Sequence, residues 1–167
     1  PEMEEYFRYI GNICDTDDNE IFHPRTEMRR GKVRYTAAAN HFFQHLAAVG
    51  AKDALYHVSR ECYTDRSSPL YGCRPVFFLH DEIGMEVPYS DPKHASLAAD
   101  RLSAIMVERM RVWCPDVRIT AAPVMTRRWF KGAEPVRVNG LLVPSRPEGR
   151  TWVADLEGLP GWERRAA

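Results

Sequence analysis

The sequence predicts an α+β fold: an antiparallel sheet built around a tight strand pair, with helices packed on one face. Three observations predict it. Apolar residues recur at three- and four-residue spacing from Tyr35 to Tyr63, two short strands meet at His80-Asp81-Glu82, and a capped helix from Asp91 to Trp113 leads into the alternating segment Val117, Ile119, Ala121. With 167 residues, 44% hydrophobic and 28% charged, the chain has the size of one domain with its own core. Basic and acidic side chains balance at 23 each, which excludes bulk electrostatic capture of nucleic acid by the whole surface and leaves local patches open. No apolar run approaches the roughly 18 residues of a membrane helix, and PEMEEYFRYI has neither a basic leader nor a signal-like apolar core, so no membrane partner and a cytoplasmic location are expected. Cys14, Cys62, Cys73 and Cys114 form no CxxC pair, so reduced, mostly buried thiols are expected.

Taken in order, residues 2 to 13 read as a short amphipathic helix with Met3, Phe7 and Ile10 on one face. The polar run Asp15 to Glu20 and the basic positions Arg25, Arg29, Arg30, Lys32 and Arg34 read as loop or short extended structure. In the Tyr35–Tyr63 helix, Phe43, Ala47, Ala51, Ala54, Val58 and Cys62 form the expected buried stripe. The small residues Ala37, Ala38, Ala39 and Ala48 are expected to admit a partner close to the backbone. Residues 65 to 72 are a turn-rich connection. In the strand pair that follows, Ile83, Met85 and Val87 share one face, with Gly84 and Glu86 on the other.

Asp91 caps the next helix, Pro92 takes its first position, and Cys114-Pro115 stops it. Its buried stripe is Ala98, Leu102, Ile105, Met106, Met110 and Trp113. A third strand is expected from Val117 towards Val124. Asn139-Gly140 between Val136-Arg137-Val138 and Leu141-Leu142-Val143 is the signature of a type I′ hairpin, and residues 144 to 167 read as a surface-hugging tail. The expected organisation is a leading helix and basic connector (1–34), a core (35–132) and a C-terminal hairpin and tail extension (133–167).

The chemistry concentrates at His80-Asp81-Glu82. Two adjacent carboxylates at the end of a strand apolar on both faces are costly near low-dielectric protein unless a cation or partner holds them, so this position is expected to bind metal; a structural turn with a solvated acid pair is the alternative. The turn also lacks the Asn-Gly or Asp-Gly of an ordinary tight hairpin, which points to function over economy. Side chains alternate along extended backbone, so one acid is expected to ligate directly and its neighbour to assist. Asn40 and Gln44, four residues apart, share a helix face. Amide donors at that spacing can test pair geometry in a DNA minor groove, where every Watson–Crick pair presents acceptors. Two solvated surface amides are the alternative.

Together these features resemble the C-terminal palm of the family A DNA polymerases, in particular the bacteriophage-type members. The resemblance rests on the strand-HDE-strand of the family's third motif (Val76 to Pro88), on Asn40-x-x-x-Gln44 followed by Ala47-Ala48, and on the closing segment with Trp129; it covers about residues 1 to 132. It implies that Asp81 is the metal-ligating aspartate, Glu82 the carboxylate near the primer terminus and His80 a primer-backbone contact. Asn40 and Gln44 would lie against the minor groove of the nascent pair. Arg29, Arg30, Lys32 and Arg34 are candidates for phosphate contacts from charge clustering alone. The chain departs from the pattern at Thr36, where many members carry Arg, and at Gln44-His45-Leu46-Ala47-Ala48-Val49, where cellular members continue Gln-Gly-Thr-Ala-Ala-Asp.

The family's first motif, with its other metal-binding aspartate, and the fingers helix that binds the incoming nucleotide do not occur in this sequence. Pro1 to Ile13 resembles the helix that follows the fingers. Asp15 to Thr26 fails as a calcium loop, with Glu20 at position six and Thr26 at position twelve, and Asp53, Asp100 and Asp116 have no strand context. The expectation is the C-terminal palm part of a split or truncated DNA-directed DNA polymerase, a nucleotidyltransferase inactive as this chain alone. It would share two Mg²⁺ ions with a companion chain carrying the first motif and fingers, and would act on primer–template DNA and dNTP in the host cytoplasm if phage-encoded. The alternative is a non-catalytic polymerase-derived module that binds DNA or a replication partner. A metal phosphohydrolase is disfavoured, because His23, His41, His45, His57 and His94 show no matching spacing.

Overall fold

The computed structural model describes residues 2–161 and has a small α+β fold. The chain divides into two compact units, Pro1–Val49 and Gly50–Ala167. The first contains α1 (Glu2–Cys14), the hairpin of β1 (Ile21–His23) and β2 (Met28–Arg30), and the opening turns of α2 (Tyr35–Thr64). Its core is Ile10, Ile21, Val33 and Ala38, with Tyr6, Ile13 and Phe42 packed against them. The phenol of Tyr6 donates to the Ala39 carbonyl at 2.5 Å, tying α1 to α2. The segment expected as loop or short extended structure is therefore a paired hairpin, with Ile21 and His23 pointing inward and Phe22 outward.

The second unit holds the remainder of α2, β3 (Arg74–Leu79) and β4 (Glu82–Glu86), α3 (Pro92–Trp113), and two C-terminal hairpins, β5 (Val136–Val138) with β6 (Leu141–Val143) and β7 (Ser145–Glu148) with β8 (Thr151–Ala154). Ala54, Val58 and Cys62 of α2, Ala98 and Ile105 of α3, Ile83 of β4 and the connector residues Leu70 and Cys73 make its core. Phe78, Met85, Leu102 and Met106 pack around it. Asp91 caps α3 by accepting from the backbone N–H groups of Lys93 and His94, both at 3.2 Å, with Pro92 at the first helical position. Asn139 and Gly140, at φ +52° and +80°, form the expected turn between β5 and β6.

Three expectations are corrected. Among the described residues the strands pair only as four separate two-stranded antiparallel sheets, so there is no larger sheet bearing helices on one face. The strand expected over 117 to 124 does not form. Its alternation has no partner strand; Val117 and Val124 are exposed, and the segment is held to α3 by Ser103, whose hydroxyl donates to the Ala121 carbonyl at 2.6 Å. The expected tail contains the paired strands β7 and β8 over 145–154, anchored where Ser145 N–H donates to the Met125 carbonyl at 2.8 Å; the rest of that expectation, from residue 162, lies outside the described residues.

The buried stripe of α2 is also shifted in its first half. Phe43 is 62% exposed and Ala47 is exposed, whereas Ala38 and His41 are buried. The neighbouring Phe42 is the one that packs on the core, edge-on to Tyr6. Ala38, expected to admit a partner, is covered by the unit's own core.

Candidate functional site

The site residues fall in both units. In the second, His80-Asp81 forms the two-residue turn of the β3–β4 hairpin, with Leu79 opposite Glu82, Phe78 opposite Ile83 and Phe77 opposite Gly84. His80 has φ +56°, in the left-handed region that favours glycine. A non-glycine residue is thus held at the strained position of a turn whose flanking strands are otherwise regular, apart from a register shift between Pro75 and Phe77.

Glu82 is oriented by packing that starts from a glycine. With no side chain at Gly84, the Phe77 ring lies across that backbone, where a Cβ would clash with the ring at Cε1. Trp129 meets Phe77 edge-on, with centroids 6.1 Å apart, and its indole N–H donates to Glu82 Oε1 at 3.2 Å. The segment that follows α3 thereby returns to the hairpin tip.

The electrostatic expectation is corrected here. His80, Asp81 and Glu82 are all exposed, and β3 is not buried on both faces, since Val76 and Leu79 face solvent. The acids carry no large desolvation cost, so burial does not by itself demand a cation. Among the described residues no group of three or more His, Cys, Asp or Glu side chains could hold a metal ion. The donor set at the tip, two exposed carboxylates on a short turn, suits part of a hard, oxygen-ligated Mg²⁺ site and cannot complete one.

In the first unit, Asn40 and Gln44 are both exposed on α2. Arg29, Arg30, Lys32 and Arg34 are exposed as well. Arg29 is committed: its guanidinium pairs with Glu20 at 2.6 Å and lies over the Phe22 ring at 5.0 Å. Gln44 lines a concavity of about 360 Å³ together with Met28, Arg29, Arg30, His41 and His45.

Sequence reasoning missed the histidines of that region. His23 from β1 and His41 and His45 from α2 form a cluster, with ring centroids 5.3 Å apart for His23–His45 and His41–His45 and 6.4 Å for His23–His41. His23 and His41 are 5% and 6% exposed. His23 Nδ1 and His41 Nε2 are buried with no hydrogen-bond partner among the described residues, while His45 Nε2 and the Thr26 hydroxyl lie 2.8 Å apart. Burial, followed by His45, Arg30 and His23, holds the His41 pKa below its ordinary value. The four-residue spacing of His41 and His45 was a visible signal; the arrival of His23 was not.

Two of the aspartates set aside for lack of strand context, Asp53 and Asp100, are engaged structurally. Asp53 accepts from Arg109 at 2.9 and 3.0 Å and from the Trp113 indole at 3.0 Å, joining α2 to α3 within the second unit. Asp100 pairs with Arg137 at 2.5 Å. Comparison with known proteins gives no match to a family model, to a curated protein or to a solved structure.

Proposed function

We propose that this chain is the C-terminal palm part of a family A DNA polymerase of the bacteriophage type, contributing to template-dependent nucleotidyl transfer. One observation carries the reading: His80 and Asp81 occupy a two-residue turn between paired strands, with His80 at φ +56° where glycine would be easier, and Glu82 fixed beside them by Trp129. A turn that keeps His80 at a φ glycine adopts more easily supports a role for its side chain. The sequence resemblance supplies the identity of that use.

In this reading Asp81 presents its carboxylate as one ligand of Mg²⁺, and Glu82, restrained by the Trp129 indole, lies beside the primer terminus. His80, exposed at the tip, donates to the primer backbone. Asn40 and Gln44 place amide donors where they can reach minor-groove acceptors. Two Mg²⁺ ions, when bound, would lower the pKa of the primer 3′-hydroxyl and stabilise charge on the transferred phosphoryl group. The second aspartate and the nucleotide-binding helix belong to polypeptide outside these 167 residues.

Primer extension tests this with the purified chain alone and mixed with a companion polypeptide carrying an Asp-x-Ser strand motif and an Arg-x-x-x-Lys-x-x-x-x-x-x-Tyr helix. Synthesis only in the mixture is expected. Primer–template binding without synthesis in any mixture would instead favour the non-catalytic DNA-binding module.

A further inference from the structure

The concavity in the first unit has a chemistry of its own. Its lining is donor-rich: Arg29 and Arg30 from β2, and His41, Gln44 and His45 from α2, with Met28 as the apolar wall. No carboxylate lines it. The acid held against this surface is Glu20, which is occupied by Arg29. Arg30, in contrast, makes no ion pair with a carboxylate among the described residues, and its charge is felt by His41.

We propose that this concavity is a phosphate-binding site, in which the Arg30 guanidinium and the His41 imidazole hold one phosphate group, with His45, whose Nε2 lies 2.8 Å from the Thr26 hydroxyl, as a wall of the site. It goes beyond the polymerase reading, which asks only for phosphate contacts from the basic segment and assigns nothing to His41 or His45, and it stands without that reading. With Arg29 neutralised by Glu20, the Arg30 guanidinium repels a cation, and a neutral ligand would leave its charge uncompensated; a compact oxyanion with several acceptor oxygens matches a guanidinium fork and ring N–H donors.

His41 gives the second, independent sign. It lines the concavity, is 6% exposed, and keeps Nε2 without a partner. Buried imidazole nitrogens are ordinarily satisfied, and an orphan beside a cationic hollow is explained by an acceptor that arrives with the ligand. The groups facing His41 are His23 from β1, Arg30 from β2 and His45 from its own helix, all basic. An anion is what this set lacks.

The phosphate could be free or carried on a nucleic-acid strand, and the chemistry is the same. The test is a titration of the full chain, without metal or companion, followed by NMR of the histidine side chains. The probes are inorganic phosphate, then a short single-stranded DNA with and without a 5′-phosphate. Saturable shifts of His41 and His45 with inorganic phosphate are expected, weakened about tenfold in Arg30→Gln, where one charge-assisted contact is lost. Arg30 is exposed, so that variant retains the fold; His41→Gln is the second variant and should weaken binding similarly. Competition by the phosphorylated strand alone assigns a terminal monoester, competition by both strands the backbone diester, and competition by neither a free anion. Absence of saturable shifts, or equal affinity in a folded Arg30→Gln protein, overturns the site. Neither result depends on primer extension, so the two proposals fail separately.

Discussion

Asp53 shows how much one side chain can hold. Its carboxylate is lifted by burial but lowered more by the Trp113 and Arg109 hydrogen bonds, so it stays ionised below the usual range. Asp53→Asn keeps the shape and loses the charge, and should cost about 2 kcal/mol of second-unit stability, read as a lower urea midpoint with Trp fluorescence. His41 makes the opposite linkage. Its folded pKa lies below the ordinary 6.5, so the unfolded chain binds a proton that the folded unit does not. First-unit stability is then complete above about pH 6.5 and falls as pH drops below it. Between about pH 7.5 and 5.5 carboxylates such as Asp53 and Glu61, with lowered pKa values, stay ionised in the folded protein. In that window, hydrogen-exchange protection corrected for intrinsic rates should decline at Ile21 and Val33 and hold at Val58 and Ile105. Equal protection at both pH values would contradict this role for His41.

At the scale of elements, the β3–β4 hairpin combines strain at its turn with packing along one face. A left-handed conformation costs a non-glycine residue about 1–2 kcal/mol, and glycine's extra freedom in the unfolded chain returns about 0.5–1 kcal/mol of any relief. His80→Gly should therefore raise stability slightly, by about 0.5 kcal/mol, while lowering primer extension. A clear loss of stability would mean that the imidazole itself holds the turn. Gly84→Ala should act the other way: displacing Phe77 loosens Trp129 and its bond to Glu82, at a cost of about 1–3 kcal/mol, visible as a lower melting temperature.

The same elements show what the sequence could reveal. The α3 ends and the β5–β6 turn were legible because Asp91-Pro92, Cys114-Pro115 and Asn139-Gly140 act on their own neighbours. The strand expected from Val117 was misread because alternation describes one segment and pairing needs two. The choice of Phe42 over Phe43 was hidden because it depends on the core of Ile10, Ile21 and Val33, which reaches α2 only through tertiary packing. At the candidate site, the order His-Asp-Glu and its place between two strands were legible, but its exposure was not, because burial of β3 depends on what packs beside it.

At the scale of the whole molecule, the proposed division of labour is that this chain supplies one carboxylate-bearing hairpin and one amide-bearing helix, and a companion supplies the remaining cation ligands. Under this proposal the net charge of zero leaves DNA to be met through local groups instead of the whole surface. The most direct test is single-turnover primer extension by the chain mixed with its companion, comparing Asp81 with Asp81→Ala. Because Asp81 is exposed at a turn, its removal should leave folding intact. Outer-shell groups at metal sites already cost about ten- to a hundredfold, so loss of a direct ligand should slow extension by more than about a hundredfold, with primer–template binding retained. Extension at an unchanged rate in the folded Asp81→Ala protein would contradict the central claim.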